Sequence, residues 1–114
     1  MGDTLNKIKE SQVKAENYAG AAPEFMGAFN TMAEVALTNS PFDMKTAELI
    51  FVSIAIARQC EGCILAHVPK ALEAGVTREE LVSLINISVL MGGGPASAFG
   101  AIALEVYDDV AKSK

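Results

Sequence analysis

From Leu81 to Leu104 the chain runs 24 residues without a charge, "LVSLINISVLMGGGPASAFGAIAL", and such a run leaves few folds open. Its length is that of one membrane-spanning helix, which needs about 20 apolar residues. "GGGP" at Gly92 to Pro95 cuts the run in two, because proline and clustered glycine both end helices, and Asn86 with several serines lies inside it. The run therefore reads as two short buried helices joined by a tight turn, and two such helices must be covered by others.

The rest of the chain supplies them. Period-2 apolar runs bounded by tight turns are missing, while Ala, Leu, Met, Glu and Lys abound, so the fold class is all-α. A polar first helix spans about Thr4 to Tyr18, with Leu5, Ile8 and Val13 inward. "AGAAP" follows, and Pro23 suits the first turn of a second helix bearing Phe25, Met26, Phe29, Met32 and Leu37 on a broad apolar face. That stripe reads as core or interface. After "TNSPFD" a third helix runs from about Asp43 to Arg58. A fourth starts near "CEGC" and stops at Gly75, a natural left-handed helix end. Thr77 and Glu80 in "TREE" form a capping box for a fifth, and Pro95 can open the sixth. "GGGP" has no flanking strand, so it reads as a turn or a close helix approach, not as a phosphate loop. At 114 residues the chain forms one domain, 1–114, with any site sharing its single core.

Composition narrows the partners. The net charge of −5, with no run of Lys or Arg, argues against nucleic acid or an anionic membrane. Apolar residues make up 51% of the chain, more than a small monomer needs, which points to a buried subunit interface and a homo-oligomer. "MGDTLNKIKESQVKAEN" is polar throughout and Asn6 breaks the myristoylation pattern, so a cytoplasmic location is expected. Asn86-Ile87-Ser88 matches a glycosylation acceptor but lies in the buried run, where that reading is discarded.

The chemistry is concentrated in "QCEGCILAH", Gln59 to His67, which holds both cysteines and the only histidine. On a helix Cys60, Cys63 and His67 share one face. If helices three and four form an antiparallel hairpin turning at Arg58 and Gln59, Glu48 comes within about one turn, or ~5.4 Å, of His67. A carboxylate at the head of the uncharged run Leu49 to Ala57 needs such a partner, although an exposed pair with Lys45 is the plainer alternative. In a reducing compartment C-x-x-C is catalytic or metal-binding more often than a permanent clip. A free thiol is only about 3% thiolate at pH 7, and lowering its pKa to about 6.5 raises that to roughly three quarters. A helix N-terminus and an imidazole both favour the thiolate, and the second cysteine can then close a Cys60–Cys63 disulfide. Helix electrostatics favours Cys60 as the low-pKa thiol, whereas the His67 spacing favours Cys63.

Glu48, Cys60-x-x-Cys63 and His67 together resemble the E…CxxC…H signature of the alkylhydroperoxidase D-like proteins, within the carboxymuconolactone decarboxylase family. "MGGGPASAFGAIALE" is similar to the Gly-rich turn and last helix of their small members, and the likeness covers about Lys45 to Glu105. The resemblance implies a compact six-helix domain whose central antiparallel helix hairpin carries the CxxC. It also implies a trimer or hexamer and thiol-dependent peroxidase or disulfide reductase chemistry without metal or organic cofactor. Cys63 would be the activated thiol facing a small-molecule peroxide or disulfide, and Cys60 its exchange partner with a thiol or lipoyl-type reductant. Glu48 and His67 would be the proton relay. The longer N-terminal half of the full alkylhydroperoxidases has no counterpart here.

Other readings of the same residues stand beside this one. Two cysteines can be small buried hydrophobes. Cys60, Cys63 and His67 offer a zinc ion three ligands where a structural site takes four. Covalent haem requires C-x-x-C-H, and His67 is not adjacent to Cys63. A cofactor-free lactone decarboxylase or isomerase would use Glu48 and His67 and leave the cysteines incidental. A non-enzymatic helical assembly would use the CxxC only as a clip.

Overall fold

A computed structural model describes residues 2–114. The chain forms six helices, α1 (Gly2–Ala21), α2 (Pro23–Thr38), α3 (Met44–Ala57), α4 (Glu61–Glu73), α5 (Arg78–Gly92) and α6 (Gly94–Lys112), and no strand among the described residues. Local chemistry sets the boundaries. Asp43 caps α3 by accepting the Thr46 N–H at 2.8 Å. Thr77 and Glu80 close a reciprocal capping box on α5, with the Glu80 N–H donating to Thr77 Oγ1 at 3.1 Å and the Thr77 N–H to Glu80 Oε1 at 2.9 Å.

Two helix ends share one geometry. At the end of α4 the amides of Gly75 and Val76 donate back to Leu72 and Ala71, and Gly75 takes a left-handed φ of 97°. At the end of α3 the amides of Gln59 and Cys60 donate to Ile56 and Ala55 in the same pattern, but the left-handed position, φ 58°, belongs to a glutamine. That turn reverses the chain into α4 and makes the α3–α4 hairpin anticipated above.

The uncharged run is a second hairpin. Gly93, φ 75°, ends α5 and begins α6, and its amide donates to the Val89 carbonyl at 2.8 Å. The helices then pack so closely that a Cβ on Gly100 would overlap the Ile85 Cγ2 methyl. Among the described residues no helix is long and apolar enough to cross a membrane. Helices α3 to α6 enclose the core, which centres on Val52, Ile56, Ile64, Val68, Leu81 and Ala103.

The first two helices depart from the sequence reading. α1 lies against α4 and α6 and runs longer at both ends than anticipated. Its buried residue is Thr4, whose hydroxyl donates to Asp109 Oδ2 at 2.6 Å; Ile8 packs on the core, but Leu5 and Val13 are exposed. Only the face carrying Thr4, Ile8 and Ser11 meets the bundle, and Leu5 and Val13 lie off it. α2 touches little beyond α1 and buries none of its residues, leaving Phe25, Phe29, Met32 and Val35 in solvent. Its apolar stripe is therefore not part of this chain's core.

Candidate active site

The inner face of α3 and the first turns of α4 meet around one open cavity of about 480 Å³, lined by Phe51, Ile54, Ala55, Arg58 and by Cys60, Cys63 and His67. The four sequence-selected residues converge here. Glu48 is 3% exposed, deep on α3, and its Oε1 lies 2.9 Å from His67 Nδ1. The plainer alternative for Glu48 fails, because Lys45 Nζ bonds Glu80 Oε2 at 2.9 Å. The imidazole sits between burial and solvent, its side chain 26% exposed. When Nδ1 donates to the carboxylate, a neutral ring keeps its lone pair on Nε2.

Phe51 fixes the ring plane as Glu48 fixes its edge: the two rings stack with centroids 4.6 Å apart at 28°. Neither Phe51 nor Arg58 was picked out from the sequence. The signal was present in the spacing, because Glu48, Phe51, Ala55 and Arg58 recur at three- and four-residue intervals and so share one face of α3.

The cysteines are joined as a Cys60–Cys63 disulfide, with Cα atoms 5.3 Å apart, and no free cysteine remains. Cys60 is also the N-cap of α4. Its Sγ accepts the Cys63 N–H at 3.2 Å, a position where unpaired amides and the helix dipole favour negative charge. Cys60 is half-buried and Cys63 exposed. Among the described residues no three His, Cys, Asp or Glu side chains are arranged to hold a metal ion.

Six helices, a cavity walled by the α3–α4 hairpin and a CxxC at its rim define the class, and sequence comparison agrees. The profile of the carboxymuconolactone decarboxylase family matches residues 23–105, and the chain belongs to that family. It is 34% identical over 88 residues to an uncharacterized protein of Cupriavidus necator, covering 77% of this chain and 78% of that one. It is also 34% identical over 83 residues to uncharacterized protein 4 in the cox locus of Paracoccus denitrificans, covering 73% and 75%. The crystal structure of the apo form of a carboxymuconolactone decarboxylase family protein from Legionella pneumophila superposes with a TM-score of 0.89 at 33% identity, over 96% of this chain and 98% of that one.

Proposed function

We propose that the protein is a cytoplasmic dithiol oxidoreductase that reduces a peroxide or a disulfide. The observation that carries this reading is that a CxxC pair able to form a disulfide and a carboxylate-held imidazole open onto one cavity. In the reduced protein His67 takes the Cys63 thiol proton, and the resulting thiolate attacks the outer oxygen of a hydroperoxide, giving a sulfenic acid and an alkoxide to which the imidazolium returns that proton. Glu48 steadies the imidazolium. Cys60, whose thiolate the N-terminus of α4 stabilises, then attacks the Cys63 sulfur; its thiol proton goes to the departing hydroxide, so water leaves as the disulfide forms. An external dithiol reductant of the thiol or lipoyl type returns the pair to its starting state. A disulfide substrate takes the same two electrons by two exchange steps.

The test is a redox titration in thiol buffers, with alkylation and mass spectrometry reporting whether Cys60 and Cys63 are free or joined. A reversible two-electron transition between roughly −180 and −300 mV supports the reading. Lactone decarboxylation that survives alkylation of both thiols would overturn it.

We also propose that the chain self-associates by seating α2 of one copy in the apolar groove of about 370 Å³ between α3 and α5 of the next, whose walls include Leu49, Ile50, Leu84 and Ile87. A helix of this length that buries nothing is marginal in water. The exposed side chains of α2 on one copy, and Ile50, Ile87, Leu90 and Met91 beside the groove on the next, give both sides of this contact an apolar patch. Repeated head-to-tail, this contact builds a closed ring such as a trimer where the rotation between copies returns to the start. Light scattering on Phe29→Glu should find monomer where the unsubstituted protein is a ring; an unchanged mass overturns this seating.

A further inference from the structure

The chain has two arginines and they are used differently. Arg78 grips Asp108 with both ends of its fork, Nε to Oδ1 at 2.8 Å and Nη2 to Oδ2 at 3.1 Å. Arg58 lines the dithiol cavity, and among the described residues no carboxylate pairs with it, not even Glu61 three positions on. It is the one permanently charged side chain on the cavity wall; the rest of that wall is Phe51, Ile54 and Ala55 beside the sulfurs and His67. Its backbone is fixed, since the Arg58 amide donates to the Ile54 carbonyl at 2.8 Å and the left-handed Gln59 turn follows at once.

We propose that Arg58 is a specificity-determining residue that selects carboxylate-bearing substrates, an inference that rests on the dithiol reading above. The substrate class is an amphipathic acid: a disulfide or hydroperoxide whose apolar part lies along Phe51 and Ile54 and whose carboxylate meets the guanidinium. Three observations carry this. A guanidinium matches a carboxylate with two parallel hydrogen bonds, the arrangement Arg78 makes with Asp108 in this same molecule. The cavity is otherwise apolar, so the ligand is recognised by one ionic contact and a greasy wall. The protein as a whole carries a net charge of −5, which repels anions, so an unpaired cation at this rim creates local attraction against the general field.

The chemistry balances for both sources. With a disulfide, one protein thiolate attacks a substrate sulfur and expels the first thiolate, which takes a proton. The second cysteine then displaces the other substrate thiolate as the Cys60–Cys63 bond forms. With a hydroperoxide the products are the alcohol and water. In each case two electrons leave the protein dithiol.

The test is single-turnover oxidation of the pre-reduced full chain by matched pairs that differ only in charge: dithiodipropionate against its diamide, and linoleic acid hydroperoxide against its methyl ester. The acid should react about tenfold faster than its neutral partner at sub-saturating concentration, with the difference in apparent affinity and weakened by salt. That ratio should fall to about one in Arg58→Gln, reverse in Arg58→Glu, and be only partly kept in Arg58→Lys, which retains charge without the fork. A preference confined to one pair identifies that source. A general effect of Arg58 on thiolate formation moves both members of a pair alike and leaves the ratio untouched. The same acid-to-neutral ratio in Arg58→Gln as in the unsubstituted protein overturns the assignment while leaving the dithiol reading intact. If neither pair oxidises thiols shown by alkylation to be free, both readings fall.

Discussion

Replacing Glu48 with glutamine separates what the buried carboxylate does for the fold from what it does for the chemistry. Glutamine has nearly the same volume, so no cavity opens at a position only 3% exposed, and its amide oxygen can still accept the proton on His67 Nδ1 at the 2.9 Å now spanned. What disappears is the charge on the acceptor. A hydrogen bond to a charged group contributes about 1.5–3 kcal/mol against about 1 for a neutral one, so stability should fall by roughly 1 kcal/mol, or about 4–6 °C in Tm for a domain of this size. The catalytic loss should be far larger, between about 10² and 10⁴, because a neutral amide neither steadies an imidazolium nor passes a proton on. Stopped-flow oxidation of the pre-reduced protein gives the rate, and thermal unfolding gives the stability. His67→Gln should show a similar loss of rate, and the double variant should be little worse than either single one, as for groups acting as a unit. A glutamine variant with nearly full rate would refute the relay and leave Glu48 as a structural partner of His67.

Three further outcomes follow from contacts within and between the helices. Gly100→Ala should destabilise by about 1–3 kcal/mol in denaturant titration, since its new methyl overlaps Ile85 and the α5–α6 contact must open. Gln59→Gly should stabilise by up to about 1 kcal/mol, by relieving a left-handed glutamine, and unfolding midpoints will register it. Hydrogen bonds from Thr46 to Asp43, from Thr77 and Lys45 to Glu80, and from Arg78 to Asp108 hold all three carboxyls below their ordinary values of 3.8 to 4.5. The unfolded chain therefore binds more protons than the folded one in this range, so stability is full above about pH 5 and drops as pH falls through the lowered values; a series of melts from pH 6 to pH 2 checks the direction.

Much of the fold is written in short-range signals. The capping box at Thr77, the left-handed stop at Gly75, Pro23 and the Gly93 joint each act within a few residues, so their outcome could be read one stretch at a time. The meeting of Glu48 with His67 was legible because an antiparallel hairpin turns sequence distance into a register. Leu5 and Val13 were not legible as exposed, because a weakly amphipathic helix does not state which of its faces meets neighbours far away in sequence. Phe51 and Arg58 were hidden for another reason: an aromatic and a cation on a buried helix look like core and surface until the opposite wall is known. The spacing of the α2 stripe fits core or interface alike, and only the folded chain, which leaves it uncovered, excludes the first.

Cys60 holds two offices, one in the proposed reaction and one as the residue that starts α4. Serine at that position would cap a helix at least as well as a sulfur does, and it is one base change away in the genetic code. Losing the dithiol therefore need not disturb the scaffold, and acquiring it asks nothing of the scaffold beyond a second cysteine one turn along. A lineage built on this hairpin can shed or gain thiol chemistry by point mutation while Glu48 and His67 stay in register, so descendants with unlike reactions can share a backbone that never had to be reinvented.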